Sequence, residues 1–168
     1  MNKPRVSIIV AIDEKGGIGK HNDLLFRIPE DHLRVRTLTR EHPLVMGRKT
    51  FASLGRLLPK RTHIVITHDP QSLNSLLYQP EVIVSSVEEG IAAAKNAPGS
   101  EEIFIFGGGQ IFKETIEKRL VDRIYLTVVK GDYDADTFFP DYSAFTKVLE
   151  KEEKEADGYQ YTFLTLEK

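Results

Sequence analysis

Three stretches of the chain gather residue types that hold anions or move protons. In EEIFIFGGGQIFKETIEK, Glu101 to Lys118, a short apolar run meets three consecutive glycines and then a helical pattern. Glycine lacks a Cβ, so it takes positive φ and lets another group approach the backbone closely. A strand that runs into a helix N-terminus also gathers free N–H groups and the positive end of a dipole, which suits phosphate. Gly107, Gly108 and Gly109 therefore read as a nucleotide phosphate site. The dinucleotide pattern G-x-G-x-x-G is incomplete, because Phe112 takes the place of its last glycine. A tight strand–helix turn without a ligand is the other reading.

In VMGRKTF a strand ends at Gly47, and Arg48, Lys49 and Thr50 open a helix. Two cations, a hydroxyl and free N–H groups make a phosphate clamp; an exposed basic turn would look the same. Two such helix starts at strand ends suit a ligand lying across a sheet edge. FRIPEDHLRVRTL supplies an acid. At helical spacing Asp31 shares a face with Val35 and Leu38. If that face looks inward, burial raises the pKa of the carboxyl and demands a partner for it. Read without further context, Asp31 more simply decorates the first turn in water, where acids suit the dipole.

Other chemistries are poorly supplied. KGGIGK falls short of a P-loop, since Glu14 and His21 occupy its outer glycine and hydroxyl positions. The five histidines, at 21, 32, 42, 63 and 68, share no helical spacing or zinc motif. No serine lies in a G-x-S-x-G context. Zero cysteines exclude disulfides, thiol catalysis and thiolate metal sites, and they suit a reducing compartment. The net charge of −2 gives no global pull toward nucleic acid or anionic lipid. No apolar run is long enough to span a bilayer, and Asp13 and Glu14 interrupt the N-terminal run before any cleavage site. The expectation is a cytoplasmic protein with no metal, membrane or nucleic-acid partner.

The elements that must position these residues follow from periodicity. Arg5–Ile12 is a near-continuous β-branched run, as in a central strand covered on both faces. DEKGGIGKHND reads as a long polar loop, and Pro29 opens a helix. PLVMG, RTHIVITH, EVIVSS, EIFIF and DRIYLTVV read as further strands. Helices are expected in RKTFASL, Val87–Lys95 and Gln110–Lys118. The alternation predicts one α/β domain over residues 1–168, with a central mixed, mostly parallel sheet and helices on both faces. The last third, including DADTFFP and YQYTFLTLEK, predicts antiparallel strands at the C-terminal edge, with Asp157–Gly158 as a hairpin turn.

The chain as a whole resembles dihydrofolate reductases. The resemblance rests on VSIIVAID, GIGKHNDL, IPEDH, VMGRKTFASLGRLLPKRTHIVIT, IFGGGQIF, IYLT and DADTFFPD, in the family order. It implies that family's fold, NADPH as cofactor, a monomer, and reduction of 7,8-dihydrofolate by hydride transfer to C6 with protonation at N5. Asp31 would hydrogen-bond the pteridine 2-amino and N3 groups and favour that protonation, with Thr127 behind it. Leu24 would lie on the mobile loop over the nicotinamide end, with Phe26 near that loop. Ile9, His32, Val35, Phe106, Leu54 and Leu58 would line the folate site, the two leucines flanking the aminobenzoyl ring. Arg61 would pair with the glutamate-tail α-carboxylate, for which its planar fork is suited. Ala11, Ile18 and Gly19 would meet the nicotinamide end. Gly47, Arg48, Lys49 and Thr50 would hold phosphate, and Thr67 and His68 the adenosine 2′-phosphate. Gly107–Gly109 with Gln110, Ile111 and Phe112 would carry the pyrophosphate and nicotinamide, with a cis peptide at Gly107–Gly108.

The chain also departs from the family pattern. Leu25 and Phe26 replace a usual Pro-Trp pair, and Phe26 cannot donate the hydrogen bond that a Trp gives to an ordered water. His32 and Val35 replace an apolar residue and a Phe, and Phe112 stands where Tyr is common. These changes imply looser folate packing and an altered antifolate response. The sequence leaves two alternatives: a related NADPH-dependent reductase of a riboflavin-pathway pyrimidine, and a non-catalytic NADPH- or folate-binding protein.

Overall fold

Arg5–Asp13 forms β1, the strand next to which the rest of the sheet is laid. A computed structural model describes residues 3–21 and 23–168. After β1 come β2 (Gly17–Lys20), β3 (Asp23–Leu24), α1 (Pro29–Thr39), β4 (Leu44–Gly47), α2 (Arg48–Ser53), β5 (His63–Ile66), β6 (Val82–Val84), α3 (Val87–Ala94), β7 (Glu102–Gly107), α4 (Gly109–Glu117), β8 (Arg123–Val129), β9 (Thr137–Phe138), β10 (Lys147–Ala156) and β11 (Tyr159–Glu167). Among the described residues, eight strands make the main sheet in the order β10-β11-β8-β1-β7-β4-β5-β6. From β6 to β8 all neighbours are parallel, and β11 and β10 then add antiparallel pairs.

Alternation along the strands splits the interior into two cores. Leu44, Met46, Val65 and Phe104 face α1 and α2, where they meet Val35, Leu38 and Phe51. Val45, Ile64, Ile103 and Ile105 face the other way, against Ile91 and Ala94 of α3 and Phe112 of α4. The strand residues among these, Leu44, Met46, Val65 and Phe104 on one side and Val45, Ile64, Ile103 and Ile105 on the other, are fully enclosed, so truncating one of the larger ones to Ala would cost about 2–5 kcal/mol. A third, smaller cluster joins Phe26, Ile28, Val129, Tyr161 and Phe163.

Two expectations need correction. DEKGGIGKHND is not a plain loop: Gly17–Lys20 is a strand, paired with both β3 and β9. DADTFFP accordingly leaves the main sheet and completes this separate three-stranded sheet. Strands this short, rich in Gly and Asp, carry little β signal of their own; side chains outside the ladder fix them. The buried Asp13 carboxylate accepts from the N–H groups of Lys15 (2.9 Å), Gly17 (2.8 Å) and Tyr133 (3.0 Å). Asp136 accepts from the His21 N–H at 2.9 Å, while its own N–H donates to the Gly19 carbonyl at 3.0 Å. The acidic run in Lys147–Ala156 is a largely exposed edge strand, and its Lys and Glu side chains guard an otherwise open edge.

Candidate active site

α1 starts without a side-chain cap, with Pro29 in its first turn. The Asp31 carboxylate is therefore free to turn toward the sheet, and its Oδ1 accepts a hydrogen bond from the Thr127 hydroxyl at 2.6 Å. Thr127 is buried on β8, in register with Ala11 of β1 and Phe163 of β11. Burial is the largest influence on Asp31 and raises its pKa above the usual carboxyl value; the Thr127 bond and the charges of His32 and Arg34 pull the other way. Arg34 stands one turn further on, its guanidinium 4.5 Å from the centre of the Phe163 ring.

Beyond Asp31 runs an apolar strip. Ile9, Val35, Leu54, Leu58 and Phe106 all belong to the core on the α1–α2 face, with Leu38. The strip closes on Arg61. Its Nε donates to Thr39 Oγ1 at 3.1 Å, Nη2 to the Arg36 carbonyl at 2.9 Å and Nη1 to the Pro59 carbonyl at 2.6 Å. A guanidinium has five N–H groups, so this fixed fork still has donors for a carboxylate. Arg36 and Thr39 lie five to eight residues beyond Asp31 on α1, or about 8–12 Å along a helix axis. The α1–α2 side of the sheet thus offers a half-buried acid, an apolar middle and a fixed cation, in that order.

The glycine turn lies at the neighbouring strand ends. The Gly107–Gly108 peptide is cis, and Gly107 has φ +111°. A Cβ on Gly107 would stand 3.1 Å from the Phe112 ring, one on Gly108 3.6 Å from Thr50 Oγ1, and one on Gly109 3.0 Å from Thr137 Cγ2 and 3.7 Å from Ile18 Cδ1. A Cβ on Gly47 would lie 3.5 Å from Ile111 and 3.8 Å from the Gly107 carbonyl oxygen. The two helix starts proposed to hold phosphate therefore meet. Neither α2 nor α4 has a side-chain N-cap, so the first-turn N–H groups of both are open to an anion. Arg48 is half-buried and Lys49 exposed at the first of them. Thr67 and His68 follow β5, whose Ile66 pairs with Gly47, so they continue the same sheet edge. This donor set fits a phosphate-bearing dinucleotide laid across the ends of β4, β5 and β7.

Some residues named from the sequence stand apart. Leu24 and His32 are exposed, as are His68 and Gln110. Phe26 is buried, its ring edge-on to Tyr133 at 4.9 Å and to Tyr159 at 6.3 Å. Phe112 is buried beneath Gly107, edge-on to Phe139 at 5.3 Å. Gly19 lies in the small sheet, paired with Leu24 and Thr137, and Ala11 lies beside the third cluster. Sequence reasoning missed Asp13, Asp136 and Thr137, which hold that sheet over the glycine turn. The repeated Asp in DADT was the available signal, since Asp carboxylates commonly accept from loop N–H groups.

Comparison with known proteins shows what the chain is similar to. The family model described as dihydrofolate reductase matches residues 5–168. A dihydrofolate reductase of Bacillus subtilis (strain 168) is 35% identical over 167 residues, covering 97% of this chain and 94% of the relative. One of Staphylococcus aureus (strain Mu50 / ATCC 700699) is 41% identical over 138 residues, covering 82% of this chain and 79% of the relative. Among solved structures, a dihydrofolate reductase from Enterococcus faecalis complexed with NADP(H) and RAB-propyl superposes with TM-score 0.81 at 33% identity, over 97% of this chain and 95% of that one.

Proposed function

The chain belongs to the dihydrofolate reductase family, and from that premise we propose how its own residues divide the work. The reaction is the NADPH-dependent reduction of 7,8-dihydrofolate to 5,6,7,8-tetrahydrofolate. NADPH supplies the hydride that is added at C6.

Asp31 holds the pteridine. Its carboxylate accepts from the paired 2-amino and N3 donors, and the dry site makes that charge-assisted pair strong. The same negative charge favours the proton that N5 must gain. Thr127 fixes the carboxylate through Oδ1 and leaves Oδ2 for the ring. Val35, Leu54 and Leu58 exclude water around the aminobenzoyl ring, and Arg61 takes the tail carboxylate. For the cofactor, Thr50, Arg48 and the open N–H groups of α2 and α4 take phosphate, while Gly107–Gly109 give the backbone approach that side chains would block. Ile18 and the small sheet close over that side and exclude water.

The observation that carries this division is the order of groups on the α1–α2 side of the sheet: Asp31 with Thr127, then an apolar strip, then Arg61. A folate has the same order: a bicyclic head with paired donors, an aryl ring and a carboxylated tail. A cytoplasmic monomer completes the proposal, supported by a chain with no cysteine and by the family resemblance. The test follows NADPH consumption by purified protein with dihydrofolate, and separately with a phosphoribosylaminopyrimidine. Turnover confined to dihydrofolate supports the assignment; preference for the pyrimidine would overturn it.

A further inference from the structure

His63 has no accessible surface, at the first position of β5 and on the α1–α2 side of the sheet, beside Phe51. Both ring nitrogens are engaged. Nε2 lies 3.0 Å from the Leu58 backbone nitrogen, and Nδ1 lies 3.2 and 3.4 Å from the two Glu81 carboxylate oxygens. The His63 backbone N–H donates to the same carboxylate at 2.9 Å. A backbone N–H can only donate, so Nε2 must be the unprotonated acceptor and the ring proton must sit on Nδ1, facing Glu81. Burial pushes the imidazole pKa down, against the pull of Glu81, and so favours this neutral form.

The anchored residue begins the turn that places Arg61. Leu58 is tied to His63; the Pro59 carbonyl accepts from Arg61; Lys60 has φ +61° between them. Leu58 and Arg61 are the residues assigned above to the aryl ring and the tail carboxylate. We infer that His63, oriented by Glu81, is a positioning residue for the substrate tail: it fixes the Leu58–Arg61 turn and thereby sets the subsite for a carboxylated aryl amide. This inference rests on the tail assignment of Leu58 and Arg61. It also gives a role to a histidine whose sequence context offers only a failed metal motif.

The test compares two substrates. Dihydrofolate carries the tail, whereas 6-methyl-7,8-dihydropterin has the same head without it. His63→Leu leaves the part-buried Leu58 N–H without its acceptor and should raise KM for dihydrofolate about tenfold. It should leave kcat within about twofold, and KM for the pterin unchanged, because the bond lies far from the head. His63→Gln returns an acceptor oxygen and should restore most of the loss. Glu81→Ala should give a smaller rise, again confined to dihydrofolate, and it carries the test if His63→Leu does not fold. Equal rises for both substrates, or no rise for either, would overturn the inference. Arg61→Lys is measured alongside: an unchanged KM for dihydrofolate there would remove the tail assignment itself, separately from the role of His63.

Discussion

The Thr127 hydroxyl donates to Asp31 Oδ1 across 2.6 Å, joining the middle of β8 to the first turn of α1. This bond favours the ionised acid, while burial favours the neutral one, and burial is the larger influence. Thr127→Val keeps the shape and removes the donor. The apparent pKa of Asp31 in the kcat/KM profile should then move further up. At neutral pH kcat/KM should fall about ten- to a hundredfold, the size of one lost hydrogen bond to a charged group. An unmoved profile would mean that Thr127 does not tune the acid.

The raised pKa of Asp31 also makes a stability statement with a definite sign. A carboxyl whose folded pKa lies above its unfolded value binds more protons in the native state between the two. The contribution of Asp31 to stability is therefore fully present below the unfolded value, about 3.9, and is lost as pH rises through the folded one. Asp31→Asn can still accept from Thr127 but carries no charge. The variant should melt above the wild type at pH 7, and the gap should close toward pH 4. A lower Tm for Asp31→Asn at pH 7 would contradict this.

Gly107→Ala tests the glycine turn. At φ +111° a side chain is strained, and its Cβ would stand 3.1 Å from the Phe112 ring. The cost is about 1–3 kcal/mol of stability, and NADPH affinity should fall with it. Denaturant unfolding and cofactor titration read the two effects. A variant as stable as the wild type would show that the turn relaxes freely.

Val35 lies half-buried on α1, packed with the strip proposed above for the aryl ring. Val35→Phe adds apolar surface there and should lower KM for dihydrofolate several-fold, within the roughly 25 cal/mol per Å² that buried area yields. An unchanged or higher KM would show that lost ring contact is not what the Val changes.

The parts of the fold and site legible in the sequence are those written locally. Arg5–Asp13 is apolar almost throughout, so it had to be a covered strand. Gly107–Gly109 and Arg48–Thr50 each announce a helix start after a strand, and the structure brings the two together. The pairing of Thr127 with Asp31 came only with the family likeness, because no local pattern ties residues 96 positions apart. The small sheet was not legible for the same reason. Gly17–Lys20 and Thr137–Phe138 have weak strand character, and the Asp13 and Asp136 bonds that set them span loops far apart in sequence. Phe26 was read from its place on a loop, yet its apolar ring found Tyr133 and Tyr159 instead. His63 fits no metal spacing in the sequence, and its actual partners are one backbone N–H and one distant Glu.

The most direct measurement is the fall in NADPH absorbance at neutral pH with saturating dihydrofolate, for the wild type and Asp31→Asn side by side. The wild type should turn over, and Asp31→Asn should lose about 10²–10⁴-fold in rate, the usual contribution of a positioned acid–base group, while still binding NADPH. A rate for Asp31→Asn close to that of the wild type would contradict the assignment of Asp31 as the residue that makes protonation possible.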